Sequence, residues 1–324
     1  MATQQQQQQQ QQEQIMIPVI DMSQPDERVS SDLYAALTTT GFATLIHHGI
    51  SKSLRERVFD SSKAFFSLSM EEKQKCGYQG HRSNRGYIGI GKECHESALA
   101  ADVKETYDLH VDECSGETQP WPTPSTGPME QFQRDMVEYF DAMDQLHLTI
   151  MRLIEIGLGL PQNYLVERCN ERHENLRLLH YPAMQVQQDT GNDKLRSRGA
   201  VHTDYGTITL LIQDDVGGLR VKCRDDTWVN VHPVPDAVVV NVGDMLQRWT
   251  NGVLVANEHQ VVEVSTSSTY IPDRYSIAFF CNANKGTTIE CLDVCVSDDR
   301  PPKYDAVNAH DYLTSRLAQT IEHA

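Results

Sequence analysis

The segment from Gly199 to Gln213, GAVHTDYGTITLLIQ, places a histidine and an aspartate two positions apart, beside a run that alternates like a β-strand. Residues two apart in a strand project from the same face, so His202 and Asp204 can point together into a barrel mouth. His259 lies in a later strand-like segment, ANEHQVVEV. Two histidines and one carboxylate form a facial triad that suits Fe(II) and leaves coordination positions open. For the HxD pair alone, a solvated turn is the alternative.

A second pair with the same spacing occurs in DRYSIAFF, where Arg274 and Ser276 share one strand face. Arginine offers a planar fork that binds a carboxylate through two hydrogen bonds. A guanidinium inside a barrel needs an anion, and a dicarboxylic co-substrate would supply one. The alternative is a structural arginine paired with a core aspartate or glutamate. Beside the histidine and aspartate set, we favour the co-substrate interpretation.

Strand-like segments dominate the chain after about residue 175. Seven of them are broken by turns and have no helix between them: LRLLHYP, TITLLIQ, GLRVKC, TWVNVHP, AVVVNVGD, EHQVVEVS and YSIAFFCNAN. This pattern favours a sandwich or barrel of the jelly-roll kind. We therefore predict a mainly β protein with flanking helices (α+β), built on a double-stranded β-helix, the jelly roll of cupin-like proteins.

Helical patterns flank these strands. VSSDLYAALTTTGFATLIHHGIS predicts a helix closed by Gly41, then a strand and a turn at Gly49. SLRERVFDSSKAFFSLSMEEKQKC is again helix-like, and MEQFQRDMVEYFDAMDQLHLTIMRLIEIGLGLP predicts one long amphipathic helix. AHDYLTSRLAQTIEHA predicts a last helix. Residues 76–101, rich in glycine, arginine and histidine, are predicted to be a loop region.

These patterns divide the chain into five parts. Residues 1–14 contain a glutamine tract that cannot bury apolar surface, and we predict that they are disordered. Residues 15–125 form an N-terminal region of helices and strands, and residues 126–170 hold the long helix that packs on the core. The jelly-roll core spans residues 171–290, and residues 291–324 form a C-terminal segment and helix.

Composition narrows the range of partners. The formal net charge is −17, without a block of lysine or arginine. Nucleic acids and anionic membranes attract clustered cations, so neither is an expected partner. The eight cysteines form no CxxC pair, and no segment reads as a secretory leader or a membrane span. These features predict a cytoplasmic protein, and we expect a monomer that acts on a small molecule.

Many short motifs, in order from IPVIDMS to HDYLTSRLAQT, resemble one family. They are GFATLIHHGI, FFSLSMEEK, RGYIGIG, DVKETYDLH, PWPTP, HTDYGTITLLIQDDVGGLRV, VVVNVGDMLQRWTNG and RYSIAFF. The family is that of the Fe(II)/2-oxoglutarate-dependent dioxygenases, in the branch with isopenicillin N synthase and the plant flavonoid and gibberellin oxidases. A run of markers in order is far more specific than any single motif.

The resemblance implies roles for particular residues. His202, Asp204 and His259 match the iron ligands of the family. Arg274 and Ser276 match the pair that holds the distal carboxylate of 2-oxoglutarate. A tyrosine that often helps with that carboxylate matches Tyr181 in the segment LLHYP. The implied cofactor is Fe(II), with 2-oxoglutarate and O₂ as co-substrates and ascorbate as a supporting reductant in vitro.

The implied reaction oxidises an unactivated C–H bond of a natural-product type of small molecule. The outcome would be hydroxylation, desaturation or oxidative cyclisation, and 2-oxoglutarate would be released as succinate and CO₂. Two alternatives stay open. One is a non-haem iron oxidase that needs no 2-oxoglutarate, and the other is a non-catalytic binding or sensor protein on the same scaffold.

Three further residues are hypothesised to contact the substrate. Residues 81–95 include Arg85 and Tyr87 and three glycines, and the matching stretch of the family lies beside the substrate. We hypothesise a mobile lid there, with an exposed loop as the alternative. Strand alternation also places Arg177 on the face of Tyr181, and a buried cation needs a partner. Arg177 is therefore predicted to bind a substrate carboxylate, or alternatively to pair with a protein acid such as Glu174.

Overall fold

The computed structural model describes most of the chain. Its described ranges are residues 16–80, 83–92, 102–111, 118–123, 129–185, 197–264 and 270–321. The predicted disordered tail of residues 1–14 lies outside them. Within these ranges, no helix combines the length and the apolar character that a membrane crossing requires.

Six α-helices occur in the described ranges: α1 Asp26–Thr39, α2 Lys52–Phe66, α3 Met70–Lys75, α4 Met129–Leu158, α5 Asp244–Trp249 and α6 Ala309–Ile321. Helix α1 ends as predicted, because Gly41 has a φ of 68° and its N–H donates to the Ala36 carbonyl. Ser51 is the N-cap of helix α2, and its hydroxyl accepts a hydrogen bond from the Leu54 N–H. The predicted long helix is confirmed as α4, which has 30 residues.

Two sheets contain most of the strands. The first has eight strands: β1 Val19–Asp21, β2 Phe42–Ile46, β3 Gly86–Ile88, β4 Glu105–Leu109, β5 Asn175–Tyr181, β8 Ile208–Gln213, β11 Val238–Val242 and β14 Arg274–Phe280. Their order is β1-β2-β11-β8-β14-β5-β4-β3. The second sheet has the order β10-β9-β12-β7, with β7 Ser197–His202, β9 Leu219–Lys222, β10 Trp228–Asn230 and β12 His259–Val262.

Two small ribbons complete the strands of the described ranges. Strand β6, Met184–Gln185, pairs with β13, Tyr270–Ile271, and β15, Thr288–Ile289, pairs with β16, Val307–Asn308. The first ribbon pairs Tyr270 and Ile271, in the segment STSSTYIPD, with β6, the strand that follows β5 in the chain. Residues 265–269 of that segment lie outside the described ranges.

The core lies on both faces of the eight-stranded sheet. Alternate residues of β5 show this, because Leu178 packs on the helical side and Leu179 on the side of the smaller sheet. The smaller cluster joins the two sheets through Leu179, Val239, Ala278, Leu219, Val221 and Val261. The larger cluster contains the buried faces of α1, α2 and α4. The predicted jelly roll with flanking helices is confirmed.

Several strands and one helix differ from the sequence prediction: helix α5 lies between two of the seven predicted strands, for which the sequence predicts no helix. Strand β3 lies inside residues 76–101, for which the sequence predicts a loop, and β4 and β7 are absent from the seven predicted strands. The reason is polar burial: Glu105, Thr106 and Asp108 of β4 and Arg198 of β7 are all buried. In β4 the alternation of polar and apolar residues is limited to Thr106–Leu109, and β7 shows none, so the pattern that identifies a strand is weak in both.

Candidate metal centre and cavity

His202 and His259 meet across a pair of antiparallel strands. His202 is the last residue of β7 and is the register partner of His259, the first residue of β12. Asp204 follows β7 instead of lying on it, which corrects the expectation that strand alternation aligns it with His202. Its Oδ1 lies 3.8 Å from Nε2 of His202 and 3.7 Å from Nε2 of His259. The turn after β7 therefore aims the carboxylate at the two rings.

The rings are oriented so that their Nε2 atoms converge. Nδ1 of His202 lies 2.8 Å from the Ala200 carbonyl, and Nδ1 of His259 lies 3.3 Å from the Asn257 carbonyl. A proton on each Nδ1 satisfies these carbonyls and leaves an Nε2 lone pair directed at Asp204, as in metal sites whose histidines are held by backbone oxygens. The residues that form this centre thus fit a divalent ion.

A hydrogen bond from Asn241 fixes the orientation of the Asp204 carboxylate. Its Oδ2 accepts a 2.7 Å hydrogen bond from Nδ2 of Asn241 on β11, which leaves Oδ1 for the histidines. Burial opposes ionisation of this carboxyl, yet His259, His202 and the hydrogen bond from Asn241 keep its pKa below the ordinary value. Sequence reasoning misses Asn241, because nothing in VVVNVGD distinguishes an amide that supports a ligand from any buried asparagine.

Close backbone contacts shape the turn that carries Asp204. The Asp204 carbonyl accepts a 2.7 Å hydrogen bond from the N–H of Asp244, and Gly243 N–H donates to the Thr207 carbonyl. A Cβ at Gly243 would lie 2.3 Å from the Gly206 carbonyl oxygen. The start of α5 is therefore packed directly against the turn, and only glycine fits at this contact.

Arg274 and Ser276 lie inside the same cavity, as the sequence predicts. Arg274 Nη1 donates to the Ser276 hydroxyl at 3.0 Å, and both side chains are buried. The other contacts of the guanidinium are with the carbonyl of Gly217 and the side-chain oxygen of Gln213, both neutral acceptors. In the described ranges, Arg274 has no carboxylate at ion-pair distance. The alternative of a structural arginine paired with a core acid is therefore not what the structure shows.

Tyr181 contacts this pair through its ring. The Arg274 guanidinium carbon lies 4.9 Å from the centre of the ring, and that of Arg198 lies 5.5 Å from it. Tyr181 also lines the cavity, together with His202, Asp204, His259, Arg274 and Ser276. The cavity has a volume of about 860 Å³. One space thus holds both the candidate metal ligands and an arginine whose described contacts are neutral.

Arg177 lines the cavity, but a protein acid already compensates its charge. Its Nε and Nη2 donate to the two oxygens of Asp108 at 2.7 and 2.9 Å, and the Asp108 side chain is fully buried. The paired acid is therefore Asp108 of β4 and not Glu174, which faces His147. Sequence reasoning misses Asp108, because β4 itself carries only a weak strand pattern.

Arg85 and Tyr87, the two other residues hypothesised to contact the substrate, differ in whether they line the cavity. Arg85 is buried and lines the cavity. Tyr87 does not line it: its hydroxyl donates to Glu105 and its ring packs on Phe65. Tyr87 lies on a paired strand, and its ring is directed into the core beside α2.

The hypothesised lid also needs correction. Its centre, Gly86–Ile88, is strand β3 and pairs with β4 at the edge of the eight-stranded sheet. Residues 81, 82 and 93–95 of the segment lie outside the described ranges. Elsewhere in the cavity, α6 contributes Leu313, Thr314 and Leu317 to the lining. The sequence predicts this helix but gives no indication that it lines the cavity.

Comparison with known proteins identifies the family. The profile of the 2OG-Fe(II) oxygenase superfamily matches residues 172–283. A second profile, described as the N-terminal region of non-haem dioxygenase in morphine synthesis, matches residues 17–132. The two profiles follow one another along the chain, and residues from both matched regions line the cavity.

Relatives and solved structures agree with the profiles. Proline hydroxylase buaE of Petromyces alliaceus is 34% identical over 304 residues, 89% of this chain and 92% of that protein. The 2-oxoglutarate-dependent dioxygenase citB of Monascus ruber is 33% identical over 298 residues, 86% of this chain and 88% of its own length. A full-length Neurospora crassa protein, solved in complex with alpha-KG and thymine, is similar with a TM-score of 0.87 at 34% identity, over 94% of this chain and 98% of that one. The chain therefore belongs to the 2OG-Fe(II) oxygenase superfamily and is an Fe(II)- and 2-oxoglutarate-dependent oxidoreductase.

Proposed function

We propose that His202, Asp204 and His259 hold the Fe(II) of this enzyme, and that Arg274 and Ser276 bind the distal carboxylate of 2-oxoglutarate. The observation that carries this assignment is that both groups open into one cavity. Bound Fe(II) supplies the oxidising chemistry with O₂ and 2-oxoglutarate, which leaves as succinate and CO₂, while a C–H bond of a small molecule is oxidised.

The residues of the chain perform distinct tasks around that chemistry. Arg274 offers N–H groups and a buried charge that has no carboxylate at ion-pair distance in the described ranges, so a ligand carboxylate would form a strong, charge-assisted contact with it. Tyr181 shields that contact from solvent with its ring. Asn241 keeps one oxygen of Asp204 occupied, so that the carboxylate presents the other to the metal. The apolar lining, such as Leu219 and Val261, excludes water from the reacting centre.

Two cations of the cavity wall, Arg177 and Lys104, support a polar substrate of low net charge. The sequence predicts a substrate carboxylate on Arg177, but Asp108 already compensates that guanidinium. Lys104, another lining cation, is likewise paired with Asp102 at 2.6 Å. A donor whose charge is already balanced by a protein acid can still donate to a ring carbonyl or an amide, but it attracts a substrate anion less strongly. Among the similar proteins, one is solved with thymine and another is named a proline hydroxylase, and both of these compounds are small polar rings.

The contacts of Arg274 and the extent of the cavity bear on two rival functions, the 2-oxoglutarate-independent oxidase and the sensor without turnover. A buried guanidinium with neutral protein contacts would bind a substrate carboxylate in a 2-oxoglutarate-independent oxidase as well as it binds 2-oxoglutarate, so release of succinate is what separates these two functions. A sensor without turnover would need no cavity beyond its co-substrate site, whereas this cavity extends to Arg85, Arg177 and α6.

A succinate-release screen tests the proposal. The purified enzyme is incubated with Fe(II), ascorbate and 2-oxoglutarate against a panel of pyrimidines, lactams, cyclic amino acids and small carboxylic acids. We expect substrate-dependent succinate from at least one neutral polar ring compound, and none from the His202→Ala variant. Oxidation of a substrate without any succinate would identify the oxidase instead. Binding of 2-oxoglutarate without turnover across the whole panel would favour the sensor.

A further inference from the structure

A second group of potential metal ligands lies away from the cavity. Asp144 and His147 stand three residues apart on α4 and so share one helix face, and Glu174 directly precedes β5. One ligand atom from each lies within 4.8 Å of the others. None of the three lines the cavity, so this buried triad is separate from the centre proposed to hold iron.

The polar atoms of the buried triad are unsatisfied. His147 and Glu174 have fully buried side chains, and that of Asp144 is 6% exposed. Asp144 Oδ1, both ring nitrogens of His147 and both carboxylate oxygens of Glu174 have no hydrogen-bond partner among the described residues. His147 Nδ1 and Glu174 Oε1 are 3.1 Å apart but are not aligned as a hydrogen bond. Buried polar groups are almost always paired, so a cluster of five unpaired atoms requires an explanation.

One neighbouring cation offsets only part of the charge of the two carboxylates. The nearest cation in the described ranges is Arg172, whose Nη1 lies 4.0 Å from Asp144 Oδ2 while Nη2 is hydrogen-bonded to the exposed Asp141. The nearby thiols of Cys169 and Cys281 add no positive charge, and burial raises the pKa of both. Two carboxylates thus face one arginine and one imidazole in a site shielded from water.

We propose that Asp144, His147 and Glu174 hold a divalent transition-metal ion of the zinc type in a buried structural site, with both carboxylate oxygens of Glu174 as ligands so that four protein atoms surround the ion. Two carboxylates and a neutral imidazole balance a charge of +2, and their oxygen and nitrogen atoms are ligands that zinc accepts. The ion satisfies polar atoms that no described protein group satisfies. Because its ligands come from α4 and from the residue before β5, it joins the long helix to the sheet.

The test counts metal in a protein that lacks the first centre. A His202→Ala/His259→Ala variant of the full chain is stripped with chelator, saturated with Zn²⁺ and desalted, and its zinc is measured by mass spectrometry. We expect about one equivalent per chain, and a melting temperature about 5 °C above that of the stripped protein. Adding Glu174→Gln should abolish both effects, whereas adding Glu171→Gln, an exposed acid of the same loop, should leave both intact.

Two results would overturn the structural site. One is the absence of retained zinc and of any thermal response in the double histidine variant. The other is retention of zinc when Glu174→Gln or Asp144→Asn is added, since the ion would then lie elsewhere. Asp144→Asn also serves as the second variant if Glu174→Gln does not fold. Because two iron ligands are absent in every variant and no turnover is measured, failure here is distinguishable from failure of the proposed function.

Discussion

At the scale of single residues, Arg274 is the side chain whose environment most clearly indicates a ligand-binding role. It is 1% exposed, yet its protein contacts are neutral oxygens. Burying a guanidinium without an anion costs free energy, and at the proposed site 2-oxoglutarate would offset that cost on binding. The co-substrate is therefore expected to stabilise the protein as well as to react in it.

Replacement of Arg274 tests this directly. Arg274→Ala should raise the KM for 2-oxoglutarate by about 10- to 100-fold, because a charge-assisted contact in a desolvated site is lost. Ser276→Ala should have a smaller effect in the same direction. Both are measured by succinate release and by the 2-oxoglutarate-induced rise in melting temperature. Unchanged binding by Arg274→Ala would mean that the arginine is structural.

The pair of Arg177 and Asp108 gives a second prediction at this scale. Asp108→Asn should lower stability by about 3 kcal/mol or more, because removing one partner leaves a charge buried and uncompensated. Arg177→Leu should raise the KM for the organic substrate while leaving the KM for 2-oxoglutarate unchanged. Steady-state kinetics with each compound varied separately measures the two KM values, and urea unfolding measures stability. If Arg177→Leu is merely destabilised with both KM values unchanged, Arg177 is no substrate contact.

At the scale of elements, the turn after β7 and the start of α5 act as one unit. Gly243→Ala would force a Cβ to 2.3 Å from the Gly206 carbonyl, so the turn that carries Asp204 must move. We expect a loss of about 2 kcal/mol in stability and weaker Fe(II) binding. Gly286→Ala is the matched control, since a Cβ there meets nothing within 4 Å. Equal stability and iron affinity in the two variants would contradict this role of the turn.

The buried contacts between α3, β3, β4 and β5 predict a pH effect. Burial disfavours the Glu105 carboxylate, yet hydrogen bonds from His180, Lys73 and Tyr87 hold its pKa below the ordinary value of 4.5. A lowered carboxyl pKa adds stability that is fully present above the ordinary pKa and is lost as the pH falls through the lowered one.

Glu105→Gln should therefore destabilise the protein most near neutral pH, and the difference from the parent should shrink below about pH 4. Urea unfolding between about pH 3 and about pH 7, limits set by carboxyl titration, measures it. Glu56→Gln, which changes an exposed i,i+4 pair with Lys52, is the control and should change little at any pH. A difference that is constant across the range would show that the charge of Glu105 is not the source.

At the scale of the whole molecule, the cavity is closed by parts that are far apart in the chain. Helix α6 supplies part of the wall, and strands of both sheets, the loops around them and helix α5 supply the rest. Leu317→Trp should narrow the cavity and lower kcat/KM for the larger accepted substrates, while binding of 2-oxoglutarate beside Arg274 is unaffected. Gln319→Trp, at an exposed position of α6, is the matched control. The same loss in both variants would point to instability of the helix instead of cavity shape.

The sequence by itself determined the chemistry and the fold class. An HTD segment followed by a strand histidine, and an arginine two residues before a serine, are read from local spacing and from the residue types that bind iron and carboxylates. Seven alternating strands and the amphipathic face of α4 are visible because apolar periodicity is a property of neighbouring residues. These features depend on short stretches of chain, so one sequence suffices to identify them.

Only the tertiary structure decided which of these side chains meet a ligand and which meet a protein partner. Arg177 pairs with Asp108 because β4 lies beside β5, and Tyr87 faces Glu105 because β3 is a paired strand. Asn241 lies on β11 of the eight-stranded sheet and donates to Asp204, which follows β7 of the four-stranded sheet. Each contact joins residues far apart in sequence, and it depends on sheet order and register, which local periodicity does not specify. The physical reason is that the partner of a buried charge is selected by packing across elements, whereas the charge itself belongs to a single residue.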